Sequence, residues 1–279
     1  MLEPPDPALY RDLIARALAE DVGTGDVTSE ATVPENLETT GVLVVKRQTV
    51  LAGLPVARAV FEAVDPGIRM VDVHHDGDEL PAGTTIATVA GRARSLLTAE
   101  RTALNVLQHL SGIATVTRSY VRAAAGGLEI LDTRKTVPGL RHLAKYAVRC
   151  GGGRNHRTGL YDGVLIKDNH IRVAGGVHAA VRLVREAGVS GSIEVEAQSI
   201  DEVDAAIEAG VDIIMLDNFN DDATIEAVRR IGGRAKVELS GNMTEARVAR
   251  LARSGADFIS VGSLTHSAPA ADISLELGL

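Results

Sequence analysis

From Leu128 onward the chain alternates short apolar runs with amphipathic segments, and each run ends in polar or charged residues. The runs occupy 128–132, 163–167, 192–197, 211–217, 235–240 and 257–262, and the segments 199–209, 221–231 and 244–254 carry apolar residues at helical spacing. Such alternation marks βα units, because parallel strands need a long crossover to bring the chain back to the same sheet. The runs end in Asp132-Thr133-Arg134-Lys135, Lys167-Asp168-Asn169, Glu194-Val195-Glu196, Asp217-Asn218, Ser240-Gly241-Asn242 and Gly262-Ser263. An open sheet gathers its ligand groups at one switch point, whereas a barrel lets every strand contribute to one mouth. The pattern therefore predicts an α/β barrel of six or seven strands, whose active site lies at the carboxyl ends of the strands.

Period-two geometry puts Glu194 with Glu196 on one strand face, and Lys236, Glu238 and Ser240 on one face of another. Buried charges cost several kcal/mol each unless compensated, so a paired network is expected to fill the barrel centre.

The part before the barrel reads differently. Asp6 and Pro7 look like an N-cap and first helical residue, and the helix they start ends near Asp21. A glycine-bearing loop over 21–28 follows, then strand-like runs at 40–46, 68–74 and 84–89, with a helical stretch over 55–64. Helical patterns at 95–110 and 113–125 lead outward. The expected division is a mixed α+β sandwich domain over 1–112, to which residues 268–279 return, and a catalytic barrel over 113–267.

The 279-residue chain has a formal net charge of −8, no Trp, three Phe and four Tyr, which argues against a nucleic-acid surface. No apolar stretch approaches the ~20 residues of a membrane span, and the N-terminus lacks the order of a secretory signal, so the expected location is cytoplasmic. The single cysteine, Cys150, excludes an intramolecular disulfide and reads as a packing residue near a helix end.

Arg134, Lys135, His156, Arg157 and Lys167 concentrate positive charge in this acidic chain, beside the glycine run 151–153. Guanidinium forks grip carboxylates in two places, and ammonium groups suit phosphate. Any one of them alone would be read as a solvated surface charge. At the ends of successive strands they converge, asking for a ligand with several carboxylates, phosphates or both. His170 is assigned a supporting role. Glu196 and Asp217 stand opposite, suited to sugar hydroxyls or to Mg2+ directly or through water, with a salt bridge to Lys135 or Lys167 as the alternative. Ser240, Gly241 and Asn242, with Val261, Gly262 and Ser263, end the last two strands, where barrels commonly bind a phosphate.

Ordered motifs extend this picture: Gly25-Asp26-Val27-Thr28-Ser29, Glu100-Arg101-Thr102-Ala103-Leu104-Asn105, Asp132-Thr133-Arg134-Lys135-Thr136, Asn155-His156-Arg157, Leu165-Ile166-Lys167-Asp168-Asn169-His170 and Thr265-His266-Ser267. On these, from about Asp21 to the C-terminus, the sequence resembles the quinolinate phosphoribosyltransferases. Val137 stands where that family often carries threonine. The resemblance implies transfer of phosphoribose from phosphoribosyl pyrophosphate to quinolinate with loss of CO2, giving nicotinate mononucleotide and pyrophosphate in NAD biosynthesis. It implies a mixed N-terminal domain before an incomplete α/β barrel, Mg2+ as cofactor, and a homodimer with shared active sites, in which Arg101 reaches the neighbouring subunit. It assigns Arg101, Thr133, Arg134, His156, Arg157 and Lys167 to the quinolinate carboxylates. Lys135 falls to the leaving pyrophosphate, and Glu196 and Asp217 to the ribose or metal. The common open-sheet phosphoribosyltransferase fingerprint, two acids after an apolar strand and then a Thr-Gly loop, is absent. Rival readings are a Schiff-base lyase using Lys167 or Lys135, a transferase of the same fold with another acceptor, and a non-catalytic phosphosugar sensor.

Overall fold

The computed structural model describes residues 2–278. In chain order the elements are α1 (Arg11–Val22), α2 (Val27–Thr32), β1 (Glu38–Val45), β2 (Thr49–Val50), α3 (Leu54–Val64), β3 (Arg69–Asp72), β4 (Glu79–Leu80), β5 (Thr85–Arg92), α4 (Ala93–Ala124), β6 (Glu129–Leu131) and α5 (Arg141–Cys150). They continue as β7 (Val164–Ile166), α6 (Asp168–Ala174), α7 (Val177–Glu186), β8 (Ile193–Ala197), α8 (Ile200–Ala209), β9 (Ile213–Asp217), α9 (Asp221–Ile231), β10 (Lys236–Ser240), α10 (Glu245–Leu251), β11 (Phe258–Ser260), α11 (Ser263–His266) and β12 (Ile273–Gly278). Two compact units divide the chain. One takes Met1–Arg118, Thr136–Gly152 and Ser263–Leu279, the other Ser119–Lys135 and Gly153–Gly262.

The first unit is built on an antiparallel sheet in the order β12-β1-β5-β3. Asp6 caps a short 3-10 turn over Pro7–Leu9, and α1 begins only at Arg11. The stretch expected as a loop contains α2, because Asp26 accepts the Ser29 N–H at 3.0 Å and starts a helical turn. The helical patterns at 95–110 and 113–125 prove to be one helix, α4. Gly112 does not interrupt it: a Cβ there would stand 2.1 Å from the Pro269 carbonyl oxygen, so the glycine permits close backbone approach. Asp76 caps α3 by accepting the Gly53 and Leu54 N–H groups at 2.8 and 3.1 Å, and takes the Tyr146 hydroxyl at 2.7 Å. Cys150 is buried in this unit, and burial pushes its thiol up to about 12, as a packing residue requires.

The second unit carries six parallel strands in the order β6-β11-β10-β9-β8-β7. β6 and β7 do not pair, so the barrel is incomplete at that seam. Residues between them partly cover it: Arg154 bridges Leu131 in parallel and its N–H donates to the Ile130 carbonyl at 2.8 Å. Along the strands one parity is apolar and buried, with Val195, Ile214, Leu216, Val237, Leu239 and Ile259. The other parity holds Glu194, Glu196, Met215, Glu238 and Ser260, all less than a tenth exposed. This is the alternation of a barrel wall with an ionic interior in place of the usual aliphatic layers. Lys236 departs from the expected interior set. It sits at the amino end of β10, fully exposed, and pairs with Asp257 at 2.6 Å, since a long side chain at a strand start reaches solvent more cheaply than the core.

Helix caps place the later strand ends. Ser199, Asn220 and Thr244 accept N–H groups from Glu202, Ala223 and Arg247, starting α8, α9 and α10 directly after β8, β9 and β10. Gly210 and Gly232 close α8 and α9 in the left-handed region.

Candidate active site

β6 runs out at the carboxyl end of the sheet into Asp132, Thr133, Arg134 and Lys135, and all four line a cavity of about 320 Å3. His156, Arg157, Lys167 and Ser240 complete its polar wall, with Leu165, Met215, Glu238 and Ser260 below. Strands β6, β7 and β10 and the 153–163 segment therefore deliver their polar ends to one place.

Asp132 organises the seam. It is fully buried and accepts the Asn155 amide at 2.6 Å and the His156 N–H at 3.0 Å. Farther along, Asp162 accepts the Thr158 and Gly159 N–H groups at 2.7 and 2.9 Å, folding the segment into a compact loop. Arg157 donates from Nη1 to the Gly163 carbonyl at 3.1 Å. Burial, and next the nearby guanidinium of Arg134, lower the Arg157 pKa. Two guanidiniums held close enough to oppose each other across a cavity define an anion site. Thr133 faces its own loop, its hydroxyl oxygen accepting the Lys135 N–H at 3.0 Å.

Three acidic side chains underlie these cations. Glu196 on β8 is bound directly by the Lys167 ammonium. His156 places Nε2 3.1 Å from Glu194 and 3.5 Å from Glu238, while its Nδ1 accepts the Arg157 N–H at 2.8 Å. The accepting Nδ1 puts the imidazole hydrogen on Nε2, facing the two acids. In this arrangement both ring nitrogens are engaged, so His156 fixes the Arg157 backbone and contributes to the wall. Glu238 is 1% exposed, and burial, with the charge of Glu194 next, pushes its carboxyl up to about 8 against the opposing pull of His156 and Lys167. Oε1 of Glu194 and Oε1 of Glu238 are buried with no hydrogen-bond partner among the described residues.

Asp217 ends β9 half-buried, and one of its oxygens accepts the Asn218 amide at 2.7 Å. Asn218 and Asn242 both hold positive φ, at 59° and 46°, immediately after β9 and β10. Gly241 between the strand and Asn242 has φ 96°, and a Cβ there would meet Asn218 Oδ1 at 2.2 Å. Backbone strain of this kind at adjacent strand ends persists only where surroundings enforce it. Arg247 supplies that support, donating to the Gly241 carbonyl at 2.8 Å and to Asp221 at 2.9 Å, and also bonding the Phe219 carbonyl. Sequence reading passed over Arg247, since nothing in the α10 pattern separates it from its arginine neighbours.

The remaining expected residues lie as follows. Val261 is buried, its N–H donating to the Leu131 carbonyl at 3.0 Å, and Gly262 follows it; Ser263 opens α11 in the first unit. Arg101 lies on α4 in the first unit, exposed and without a protein partner among the described residues. His170 folds back to accept the Lys167 N–H at 2.9 Å, the supporting role expected of it. Below the mouth a second cavity of about 450 Å3 lies toward the strand starts, lined by Val164, Ser192, Ile213 and Phe258 and sharing His156, Arg157 and Glu238 with the first.

An incomplete α/β barrel whose mouth sets guanidinium and ammonium groups over buried carboxylates defines an enzyme of small polyanions. Residues 26–111 match the family described as quinolinate phosphoribosyl transferase, N-terminal domain, and residues 113–276 match its C-terminal domain, so the chain belongs to the quinolinate phosphoribosyltransferase family. It is 46% identical to the nicotinate-nucleotide pyrophosphorylase [carboxylating] of Mycobacterium leprae over 96% of both chains. The chloroplastic enzyme of the same name from Arabidopsis thaliana is 42% identical over 99% of this chain and 85% of its own. The solved structure of the nicotinate-nucleotide pyrophosphorylase from Francisella tularensis superposes with a TM-score of 0.95 at 40% identity, covering 100% of this chain and 99% of that one.

Proposed function

We propose that the chain transfers phosphoribose from phosphoribosyl pyrophosphate to the ring nitrogen of quinolinate, with decarboxylation, giving nicotinate mononucleotide, pyrophosphate and CO2 in de novo NAD biosynthesis. The observation that carries this reading is the juxtaposition of Arg134 and Arg157 over the cavity that Lys167 also lines. A dianionic ring acid relieves their mutual repulsion and takes a fixed orientation from the two forks, and orientation is a large share of the rate of such a transfer.

As pyrophosphate leaves, positive charge grows on the ribose and negative charge on the leaving group. Lys135, exposed at the mouth, stabilises the leaving oxygens, and the carboxylates of Glu196 and Asp217 favour the cationic sugar or hold its hydroxyls. Ser240, Gly241, Asn242, Val261 and Gly262 provide the phosphate side of the mouth. Once the ring nitrogen carries ribose, the ring is cationic and the electron pair left by CO2 is stabilised beside it. No protein nucleophile is needed, and the Lys167 ammonium is engaged with Glu196.

Glu196 and Asp217 would hold Mg2+, since each carboxylate keeps one oxygen without a hydrogen bond among the described residues and Mg2+ prefers one or two carboxylates together with substrate phosphates. When bound, the ion neutralises pyrophosphate charge. Arg101, exposed and without a partner among the described residues, serves the site of a second copy of the chain in a homodimer. No described helix is long and apolar enough to cross a membrane, and a cytoplasmic location is part of this reading.

The test is formation of nicotinate mononucleotide from quinolinate, phosphoribosyl pyrophosphate and Mg2+, run beside nicotinate as acceptor. Turnover with quinolinate alone supports the reading. Folded protein that makes no product, or prefers nicotinate, refutes it.

A further inference from the structure

We propose that Glu238 is the proton donor that quenches the carbanion left at C2 of the ring when CO2 departs, and that its proton is restored from the cavity on the amino side of the barrel. This rests on the quinolinate reading above, in which decarboxylation leaves an electron pair that some group must protonate.

Two acidic side chains line the mouth cavity, Asp132 and Glu238. Asp132 has both oxygens occupied by N–H donors, from Asn155 and His156, which fixes it as a carboxylate and leaves it no proton to give. Glu238 is the opposite case. It is almost wholly buried, its Oε1 meets no hydrogen-bond donor among the described residues, and the second acid Glu194 shares the same barrel interior, so a carboxylic acid is the form this pocket favours. Around it stand Glu194 from β8, His156 from the seam segment, Lys167 after β7 and Ser260 on β11. Candidate ligand atoms of His156, Glu194 and Glu238 lie within 4.8 Å of one another. The His156 Nε2–H thus faces both acids, and Glu194, the closer at 3.1 Å, holds the imidazole in place.

The step balances in atoms and charge. The bond between C2 and the carboxylate breaks, its electron pair stays on C2, and neutral CO2 leaves. The O–H bond of Glu238 then breaks, the proton goes to C2, and Glu238 becomes a carboxylate. Negative charge passes from the departing carboxylate to Glu238, so the basic cavity keeps a counter-charge throughout. The overall reaction consumes one proton from solvent. Glu238 lines both cavities, and the amino-side one, of about 450 Å3, gives water a route to it that does not pass the bound nucleotide.

The competing donors, a lysine ammonium or water, are polyprotic, and this separates them experimentally. In an equal mixture of H2O and D2O a polyprotic donor chooses among its hydrons and delivers protium in excess. A carboxylic acid holds one hydron and delivers whatever it holds. The wild-type enzyme should give nicotinate mononucleotide whose C2 deuterium content, read by NMR, equals that of the solvent; a clear protium excess overturns the proposal. Glu238→Gln should keep the wild-type melting temperature or exceed it, bind quinolinate unchanged, lose about a hundredfold in kcat, and switch to protium excess as water takes over. A folded variant with wild-type kcat overturns it equally. Absence of any nicotinate mononucleotide from the wild-type enzyme would instead contradict the quinolinate reading itself.

Discussion

Asp132→Ala is the perturbation that most directly tests how the open seam is held. The native carboxylate accepts two hydrogen bonds, at 2.6 Å from the Asn155 amide and 3.0 Å from the His156 N–H, at a position with no solvent exposure. Hydrogen bonds to a charged acceptor contribute roughly 1.5–3 kcal/mol each, so losing these two costs about 3–6 kcal/mol before any relaxation. The segment borders a cavity, so water can reach part of the orphaned donor set, and the expected loss is near the lower end, about 3 kcal/mol. For a protein of this size that lowers the melting temperature by about 6–12 °C. Because His156 in turn fixes the Arg157 N–H, quinolinate affinity should fall in the same variant although Asp132 is not needed to touch the ligand. Asp132→Asn keeps one acceptor for His156 and should lose less in both measures. Scanning calorimetry and isothermal titration read the two effects. Asp132→Ala that melts within about a degree of wild type and binds quinolinate equally well would refute the idea that this residue pins the seam.

Further outcomes follow from the same geometry. Arg157→Lys should weaken quinolinate binding at least tenfold, because an ammonium cannot reproduce a forked grip; unchanged affinity in titration would move the carboxylate site elsewhere. Folded Glu238 keeps its proton to about pH 8 while an unfolded glutamate releases it near pH 4, so between these values the native state binds more protons and stability falls as pH rises. Denaturant midpoints across that window should therefore decline for wild type and flatten for Glu238→Gln. Arg247→Ala should raise KM for phosphoribosyl pyrophosphate more than for quinolinate, since it frees the carbonyls that hold the turns after β9 and β10.

Much of the barrel was legible because its physics is local. Six apolar runs with turn residues between them marked six strands, and helical spacing over 199–209, 221–231 and 244–254 marked the helices that follow three of them. The basic residues of the mouth were legible for the same reason: a residue at a strand end can go to few places. What the sequence concealed depends on distant partners. The break expected between the helical patterns at 95–110 and 113–125 is absent, and the Pro269 carbonyl lies against Gly112 in the continuous helix. Lys236 and Glu238 share a strand parity, yet one reaches solvent and the other is sealed under the cavity, because depth along the barrel axis is not encoded in alternation. His156 reads as one more positive charge, and only the Arg157 N–H on Nδ1 and the acids at Nε2 reveal a positioning group.

In the proposed reaction one cavity joins ribosyl transfer to loss of CO2. The direct measurement is a single-turnover experiment with quinolinate labelled in its C2 carboxylate, following labelled CO2 and nicotinate mononucleotide together. One CO2 per nucleotide, released only when phosphoribosyl pyrophosphate is present, is the predicted result. Label released without phosphoribosyl pyrophosphate, or nucleotide formed with its label retained, would contradict it.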